Sequence, residues 1–336
     1  MLDRRTLLTA SAAGTATLLA PTAAEAAPRA GKVLARGLEI PWGVAFLPGG
    51  SALVTERNGG VHRVSKRGGR RRVGEVSTPG GGEGGLLGAA LHPRFRRNGW
   101  VYFYVSSAND NRVVRSRYEG GRLRGREVVL AGIPSGRIHD GGRIAFGPDG
   151  LLYVTTGDTG NGELAQRRRS LAGKILRMTP GGGVPSDNPF GNHVWTYGHR
   201  NVQGLDWDRR GRLWATELGQ NTRDELNRIR RGRNYGWPDV EGGDGRGRYA
   251  DPFVTWSPTS TCSPSGLAIA QGRAWVGALA GEALFSVRLR GPNAGRKVRH
   301  FHRRFGRIRT VQQAPDRSLW ITTSNGVNDK VIRIRL

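Results

Sequence analysis

Arg143-Ile-Ala-Phe-Gly-Pro-Asp-Gly-Leu-Leu-Tyr-Val-Thr-Thr156 runs a short apolar stretch into a Pro/Asp/Gly turn and out again along an alternating strand rich in aromatic and β-branched residues. Period-2 alternation marks a half-buried strand and the Pro/Asp/Gly cluster a turn, so the segment reads as two paired strands. The same unit occurs six times. Upstream copies are Trp42 to Phe46 with Ala52 to Glu56, and Leu86 to Leu91 with Val101 to Val105. Downstream, Gln203 to Trp207 goes with Arg212 to Thr216, Ser265 to Ile269 with Arg273 to Ala278, and Arg309 to Gln313 with Ser318 to Thr323. Most copies lead into a further strand, as in Gly60-Val-His-Arg-Val64, Lys174-Ile-Leu-Arg177 and Leu284-Phe-Ser-Val-Arg288. A period of roughly 45 to 60 residues holds a four-stranded blade plus a loop, and six such sheets stack radially around a channel. The fold expected is therefore all-β, a six-bladed β-propeller of four-stranded antiparallel blades. A lone blade leaves both faces bare, so residues 28–336 are expected to form one cooperative domain. A β-sandwich or a two-domain all-β chain is the rival. Insertions at about 157–172, 178–194 and 217–250 fall between strand pairs, and a site is expected among these loops near the axis.

Composition agrees with this reading, because Gly 53 and Pro 17 suit many short strands joined by tight turns. The net charge of +27 would suit a nucleic-acid binder. The basic residues are mostly arginine, however, and are scattered over strands and turns except for short runs such as Lys66 to Arg72 and Arg228 to Arg233. No zinc-finger spacing, RNP-like aromatic motif or long basic helix accompanies them, so no nucleic acid is expected as the primary partner. A solvated basic surface remains, with electrostatic association with an anionic cell envelope as a further expectation. At the N-terminus, Asp3-Arg4-Arg5-Thr6-Leu7-Leu8 precedes a weakly apolar stretch ending in Ala24-Glu25-Ala26. Residues 1–27 read as a removable export signal of the twin-arginine type, and the protein is expected to be secreted, periplasmic or cell-envelope associated. An ordinary secretory signal with a chance Arg pair is the other reading. No later segment is long and apolar enough for a transmembrane helix. Cys262 is the only cysteine, which leaves no internal disulfide and no cysteine zinc cluster.

Four segments are too polar to be scaffold alone. In Arg137-Ile-His139-Asp-Gly-Gly-Arg143, a histidine at the start of a strand can act as general base, and a carboxylate such as Asp158 from the next strand can fix its tautomer; taken alone, a hydrogen-bonded structural histidine in a turn is the commoner reading of such a segment. Tyr197-Gly-His199-Arg200-Asn201-Val-Gln203-Gly204 offers glycine-flanked donors for an anion or a carbonyl. Glu217-Leu-Gly219-Gln220, with Asp224-Glu225 and Tyr235, gathers the hard oxygen ligands that calcium takes, without EF-hand spacing. Arg307-Ile-Arg309 places two arginines on alternate positions of a strand, pointing the same way.

Taken together with Pro41-Trp42-Gly-Val-Ala-Phe, Gly84-Gly-Leu-Leu-Gly, Gly173-Lys-Ile-Leu-Arg177, Pro185-Ser-Asp-Asn-Pro-Phe190 and Asn234-Tyr-Gly-Trp-Pro238, these segments resemble the glucose/sorbosone dehydrogenase family of pyrroloquinoline quinone (PQQ) enzymes along nearly the whole chain. The resemblance implies oxidation of the anomeric hydroxyl of an aldose to a lactone, by hydride transfer to PQQ with calcium assistance. It makes His139 the base, Asp158 its orienting partner, and Arg200 and Asn201 the contacts of the quinone. It assigns calcium to the carbonyls of Gly219 and Gln220, and PQQ carboxylates to Arg307 and Arg309. Asp224, Glu225 and Tyr235 match the region of additional structural calcium. Three positions depart from the family: Ala280 replaces a lysine, Glu83 stands beside the cofactor where glutamine is common, and Gln220 replaces a proline. An extra carboxylate at Glu83 should repel an anionic cofactor unless it is protonated, paired or turned outward. Without the family's long insertions, a shallow site, broad aldose preference, an unidentified electron acceptor and a monomer are expected. A non-catalytic carbohydrate- or protein-binding propeller of the same ancestry is the alternative, and a calcium-dependent lactone hydrolase a third.

Overall fold

The computed structural model describes residues 27–243 and 246–336; apart from Ala27, the export signal read at 1–27 lies outside the described residues. Short strands with buried inner faces assemble into six four-stranded antiparallel sheets, five of which pair neighbours in sequence order throughout. The innermost strands are Pro41–Phe46, Leu86–Leu91, Ile144–Phe146, Val202–Trp207, Pro264–Ala270 and Ile308–Gln313. Each packs against the next, and the sixth returns to the first, so the sheets close into a six-bladed β-propeller. One strand was not foreseen from the repeats. Arg29–Leu38 pairs antiparallel with Asp329–Arg335, so the beginning of the described chain supplies the outer strand of the last blade and latches the ring.

Apolar residues fill the wedges between blades. Trp42, Trp214, Trp256 and Trp320 are among the largest fully buried side chains, and at roughly 25 cal/mol per Å² such aromatics contribute most per residue to closing the ring. A second device recurs near the axis. Thr55 Oγ1 accepts the Gly43 N–H at 2.7 Å and donates to the Leu87 carbonyl of the next blade at 2.6 Å. Thr155 does the same between Arg143 N–H and the Val202 carbonyl, at 2.9 and 2.8 Å. Thr216 donates to Ser265 O, and Thr322 to Pro41 O across the closure. Each such bond contributes about 1 kcal/mol, and together they hold the starts of neighbouring inner strands in register around the axis.

Strand parity decides which loops meet there. With antiparallel neighbours, the connection between a blade's second and third strands lies at the end where the inner strand begins; the other two connections start at the opposite end, although the long one at 230–253 runs back so that Trp237 and Glu241 reach the axial end. Residues 156–173 and 218–223 therefore join the axial end. The insertion at 178–194, grouped with them from sequence, lies at the other end, where Asp187 and Asn188 bind Arg177 beside the Asp149 turn. Among the described residues no helix is long and apolar enough to cross a membrane.

Candidate active site

His139 sits just before an inner strand with φ +60, in the left-handed region that non-glycine residues adopt only when their surroundings enforce it. The enforcement is visible on both sides. Its N–H donates to Glu83 Oε2 at 2.9 Å, and its carbonyl lies where a Cβ on Gly157 would come within 1.8 Å, so residue 157 must be glycine. The ring's Nδ1 is 2.6 Å from Asp158 Oδ1. Asp158 is 1% exposed and also accepts the Gly160 N–H and Trp237 Nε1–H, each at 2.8 Å. Burial acts to raise this carboxyl, but the hydrogen bonds from His139, Gly160 and Trp237 outweigh it and hold it below its ordinary value. A carboxylate only accepts, so Nδ1 carries the proton and Nε2 is the basic nitrogen. The contribution of the pair to stability is complete above the carboxyl's unfolded value and is lost as pH falls through its lowered folded value.

His139, Asp158, Arg200, Gln220 and Trp237 line a cleft of about 560 Å³. A larger groove of about 750 Å³ lies at the opposite end against Phe46, Leu91 and Phe95; it lacks a histidine–carboxylate pair, so the chemistry favours the smaller cleft. Arg200 is held by its N–H, which donates to Glu217 Oε1, and by Nη1 on the Leu218 carbonyl at 3.2 Å, with Trp237 5.5 Å from its guanidinium. Burial lowers its pKa, partly offset by Asp158 and Glu217. Asn201 Oδ1 accepts the Gly141 N–H, while its Nδ2 is 3.5 Å from Glu83 Oε2. Glu83 thus turns inward rather than outward, and its charge favours the cationic forms of Arg200 and Arg309.

Deeper on the axis stand two arginines whose hydrogen-bond partners are all uncharged. Arg309 donates to Gln203 Oε1 at 2.7 Å, and burial pushes it down to about 10. Arg143 donates to Gln203 O and Thr310 Oγ1 and lies 4.1 Å from the Trp42 ring; burial and then Arg309 push it down to about 9. Neither makes an ion pair among the described residues, and Arg309 Nε, like Arg200 Nε, is buried without a partner. Buried cations answered only by dipoles fit an anionic ligand. Arg307 differs from the sequence expectation: it precedes its strand and is exposed, whereas Arg309 is buried.

The Gly219–Gln220 turn is folded around Glu241. Glu241 Oε1 accepts the N–H groups of Gln220, Asn221, Thr222 and Arg223 at 2.8 to 3.2 Å, and a Cβ on Gly219 would come within 2.0 Å of Arg223 O. Asp224 accepts from Gly219 N–H and Ser263 N–H, and burial pushes it up to about 7. Glu225 faces Glu217 across the ladder and is pushed up to about 8 by burial and then by Glu217. Asn227 lies beside both, with its Oδ1 buried and unpaired. Tyr235 stands apart from Asp224: its ring stacks 4.6 Å from His199 and its hydroxyl bridges Arg230 N–H and Arg228 O. Ala280 is exposed and lines a different pocket, with Glu282 and Arg303. No group of three or more His, Cys, Asp or Glu side chains able to hold a metal occurs among the described residues, so backbone and amide oxygens would have to complete any calcium shell.

Sequence reasoning gave no role to Arg143, Gln203, Trp237 or Glu217, although all four lie in segments it quoted. Arg143 and Gln203 stand at the starts of inner strands, Glu217 ends a second strand and Trp237 lies in a loop, so no common pattern marks them.

Comparison with known proteins adds independent findings. The family model described as glucose/sorbosone dehydrogenase matches residues 38–333. The PQQ-bound form of an aldose sugar dehydrogenase from Streptomyces coelicolor superimposes with a TM-score of 0.88 and 45% identity, covering 92% of this chain and 98% of that one. An uncharacterized protein of Synechocystis sp. is 36% identical over 89% of this chain and 84% of its own length. Quinoprotein glucose dehydrogenase B of Acinetobacter calcoaceticus is 34% identical over 63% of this chain, which spans 52% of that relative's length.

Proposed function

The chain belongs to the glucose/sorbosone dehydrogenase family of PQQ-dependent oxidoreductases, and we propose that it oxidises the anomeric hydroxyl of aldoses to lactones with PQQ and calcium. The observation that carries this reading is the His139–Asp158 pair opening with Arg200 on one cleft, in a ring whose inner strands also bury Arg143 and Arg309 with no anionic partner. PQQ is a tricarboxylate, and the axial cations suit it. Arg309, with Arg307 above it, would hold its carboxylates, and Arg200 and Asn201 its quinone oxygens. When bound, PQQ supplies the acceptor for the hydride from the anomeric carbon, and calcium on the carbonyls of Gly219 and Gln220 supplies Lewis acidity. His139 Nε2 removes the proton of the anomeric hydroxyl. Asp158 stabilises the resulting imidazolium and fixes its orientation through Nδ1–H. Arg200 and Asn201 present donors where negative charge develops, in a site where burial strengthens their effect. Trp237 buttresses both partners, bonding Asp158 through Nε1 and lying against Arg200.

Reconstitution tests the reading. Purified protein given PQQ and calcium is expected to show the reduced-quinone spectrum on addition of aldoses without an external acceptor. Failure to take up PQQ with calcium present would instead favour the non-catalytic binding propeller.

Two further outcomes follow from residues that depart from the family or lack partners. Glu83 places a carboxylate between cations that the cofactor also needs. Glu83→Gln keeps an oxygen for the His139 N–H but removes the competing charge, so PQQ is expected to bind about tenfold more tightly, as measured by titration calorimetry. For calcium, Glu225 with Glu217 and the unpaired Asn227 Oδ1 forms the oxygen-rich group best suited to a structural ion. Saturating calcium is expected to raise the melting temperature by roughly 5 °C, an effect that chelation reverses and Glu225→Gln abolishes. We also propose that residues 1–27 direct export and are removed, as N-terminal sequencing of the exported protein would establish.

A further inference from the structure

Lys174 opens the third strand of the third blade, Lys174–Met178, and its side chain is fully buried. Its Nζ donates to three backbone carbonyls, Leu164 O at 2.8 Å, Ala165 O at 2.9 Å and Ala172 O at 2.6 Å. An ammonium has three N–H donors where a neutral amine has two, so the charged form answers all three. It makes no ion pair among the described residues, and burial pushes it down to about 7. An apolar side chain in the same place would escape that desolvation. The charge is therefore kept for what its three bonds hold.

What they hold is one wall of the cleft. Leu164 and Ala165 belong to a single helical turn, Glu163–Gln166. A helix leaves its last four carbonyls without i+4 partners, and in one turn that is all of them. Gly160, Gly162 and Glu163 of the same loop line the cleft with His139 and Trp237. A Cβ on Gly162 would come within 2.9 Å of Pro238 Cβ and 3.2 Å of Trp237 Nε1, so the loop packs directly on the tryptophan. Gln166 fastens the turn to the same segment: its Nε2 donates to Trp237 O at 2.6 Å, and its Oε1 accepts from Asn234 Nδ2 at 2.8 Å. Ala165 O also accepts the Gly198 N–H at 3.0 Å, and Gly198 O accepts the Trp237 N–H at 2.9 Å. Trp237 Nε1 then donates to Asp158 Oδ2 at 2.8 Å, and Asp158 Oδ1 faces His139 Nδ1.

We infer that Lys174 is a positioning residue for the His139–Asp158 pair, acting through the 163–166 turn and Trp237; the inference rests on the dehydrogenase reading proposed above. Lys174 does not line the cleft. Its effect passes through the donors of Asp158. Against burial, hydrogen bonds from His139, Gly160 and Trp237 keep that carboxyl low. Gly160 lies in the loop that Lys174 ties down, and Trp237 is bonded to the helical turn through Gln166. Misplacing a reacting group by about 1 Å can slow a reaction about a hundredfold. Lys174→Met keeps a similar stem and leaves the three carbonyls without their cation, which frees the wall to shift.

Two readouts test this. In the apo protein, hydrogen exchange of the 160–167 amides is expected to be at least about tenfold faster in Lys174→Met. In protein reconstituted with PQQ and calcium, the single-turnover rate of quinone reduction at saturating aldose is expected to fall at least about tenfold, while PQQ uptake and the half-saturating aldose concentration stay within about threefold. Leu176→Ala, two residues on in the same strand and equally buried, is the control for lost stability. It should lower the melting temperature and keep both the parental rate and the parental exchange of 160–167. Gln166→Leu leaves the core intact and should slow reduction as Lys174→Met does, and the double variant should be no slower than the slower single one, because both cut one chain of contacts. A parental rate in Lys174→Met would overturn the inference, as would equal slowing in Leu176→Ala. If Lys174→Met does not fold, a parental rate in Gln166→Leu overturns it. A parent protein that binds PQQ and reduces none of it would instead sink the dehydrogenase reading and this role with it, whatever the exchange shows.

Discussion

Replacing His139 by alanine is expected to slow aldose-driven reduction of the bound quinone about a thousandfold, the middle of the range for a general base, while PQQ uptake stays within a few-fold of the parent. The separation of the two readouts follows from the geometry. His139 is held by Glu83 through its backbone and by Asp158 through its ring, whereas Arg200 and Arg309, the cations assigned to the cofactor, belong to other blades. Alanine keeps the N–H that Glu83 accepts, although the left-handed backbone at residue 139 is less comfortable for it. Asp158→Asn is a sharper companion: the amide can offer Nδ1 a donor in place of an acceptor, which favours the wrong tautomer without emptying the site. Single-turnover absorbance of the reconstituted variants measures both effects. A His139→Ala protein that reduces its quinone at the parental rate would remove His139 from the chemistry, and loss of PQQ uptake in the same variant would make it a cofactor residue instead.

Arg309→Met is expected to weaken PQQ binding about a hundredfold, the loss of one or two charge-assisted hydrogen bonds in a buried site. The apo protein should be no less stable for it. Burial lowers the folded value of Arg309 to about 10, so folding disfavours its charged form throughout the neutral range. That cost is present at all pH values below about 10 and is relieved only as pH rises through it. Its partner Gln203 Oε1 keeps the Ser265 hydroxyl at 2.9 Å when the guanidinium is gone. Methionine approximates the aliphatic stem, and replacing an incompletely paired buried charge by an apolar side chain is often neutral or stabilising. Unchanged or raised melting of the apo form, together with weak PQQ binding in calorimetry, is the expected pair of results. Parental affinity would mean that Arg309 serves only the ring's interior, packed beside Trp42.

The fold was legible in the sequence because its signal is local and repeated. An apolar stretch, a turn and an alternating strand report hairpins regardless of what surrounds them, and six copies leave few ways to bury both faces of each sheet. The sequence likewise put His139, Arg200, Asn201 and Arg309 at or near the starts of inner strands and Asp158 with the strand that follows His139, where the structure has them. The latch formed by Arg29–Leu38 was not legible, since that strand pairs with Asp329–Arg335 at the far end of the chain and carries no copy of the repeat. Nor was the end of the ring to which 178–194 belongs, which depends on counting strand directions within its blade. Glu83 shows the remaining limit. The sequence supplied its charge and its nearness to the site; whether that charge faced solvent or the axial arginines was fixed by a hydrogen bond to His139 from a different blade. Periodicity and composition act through neighbours in the chain and so determined the blades. Burial, charge compensation and the pairing of Arg143 and Arg309 with Gln203 arise between residues far apart in sequence, and only closure of the ring decided them.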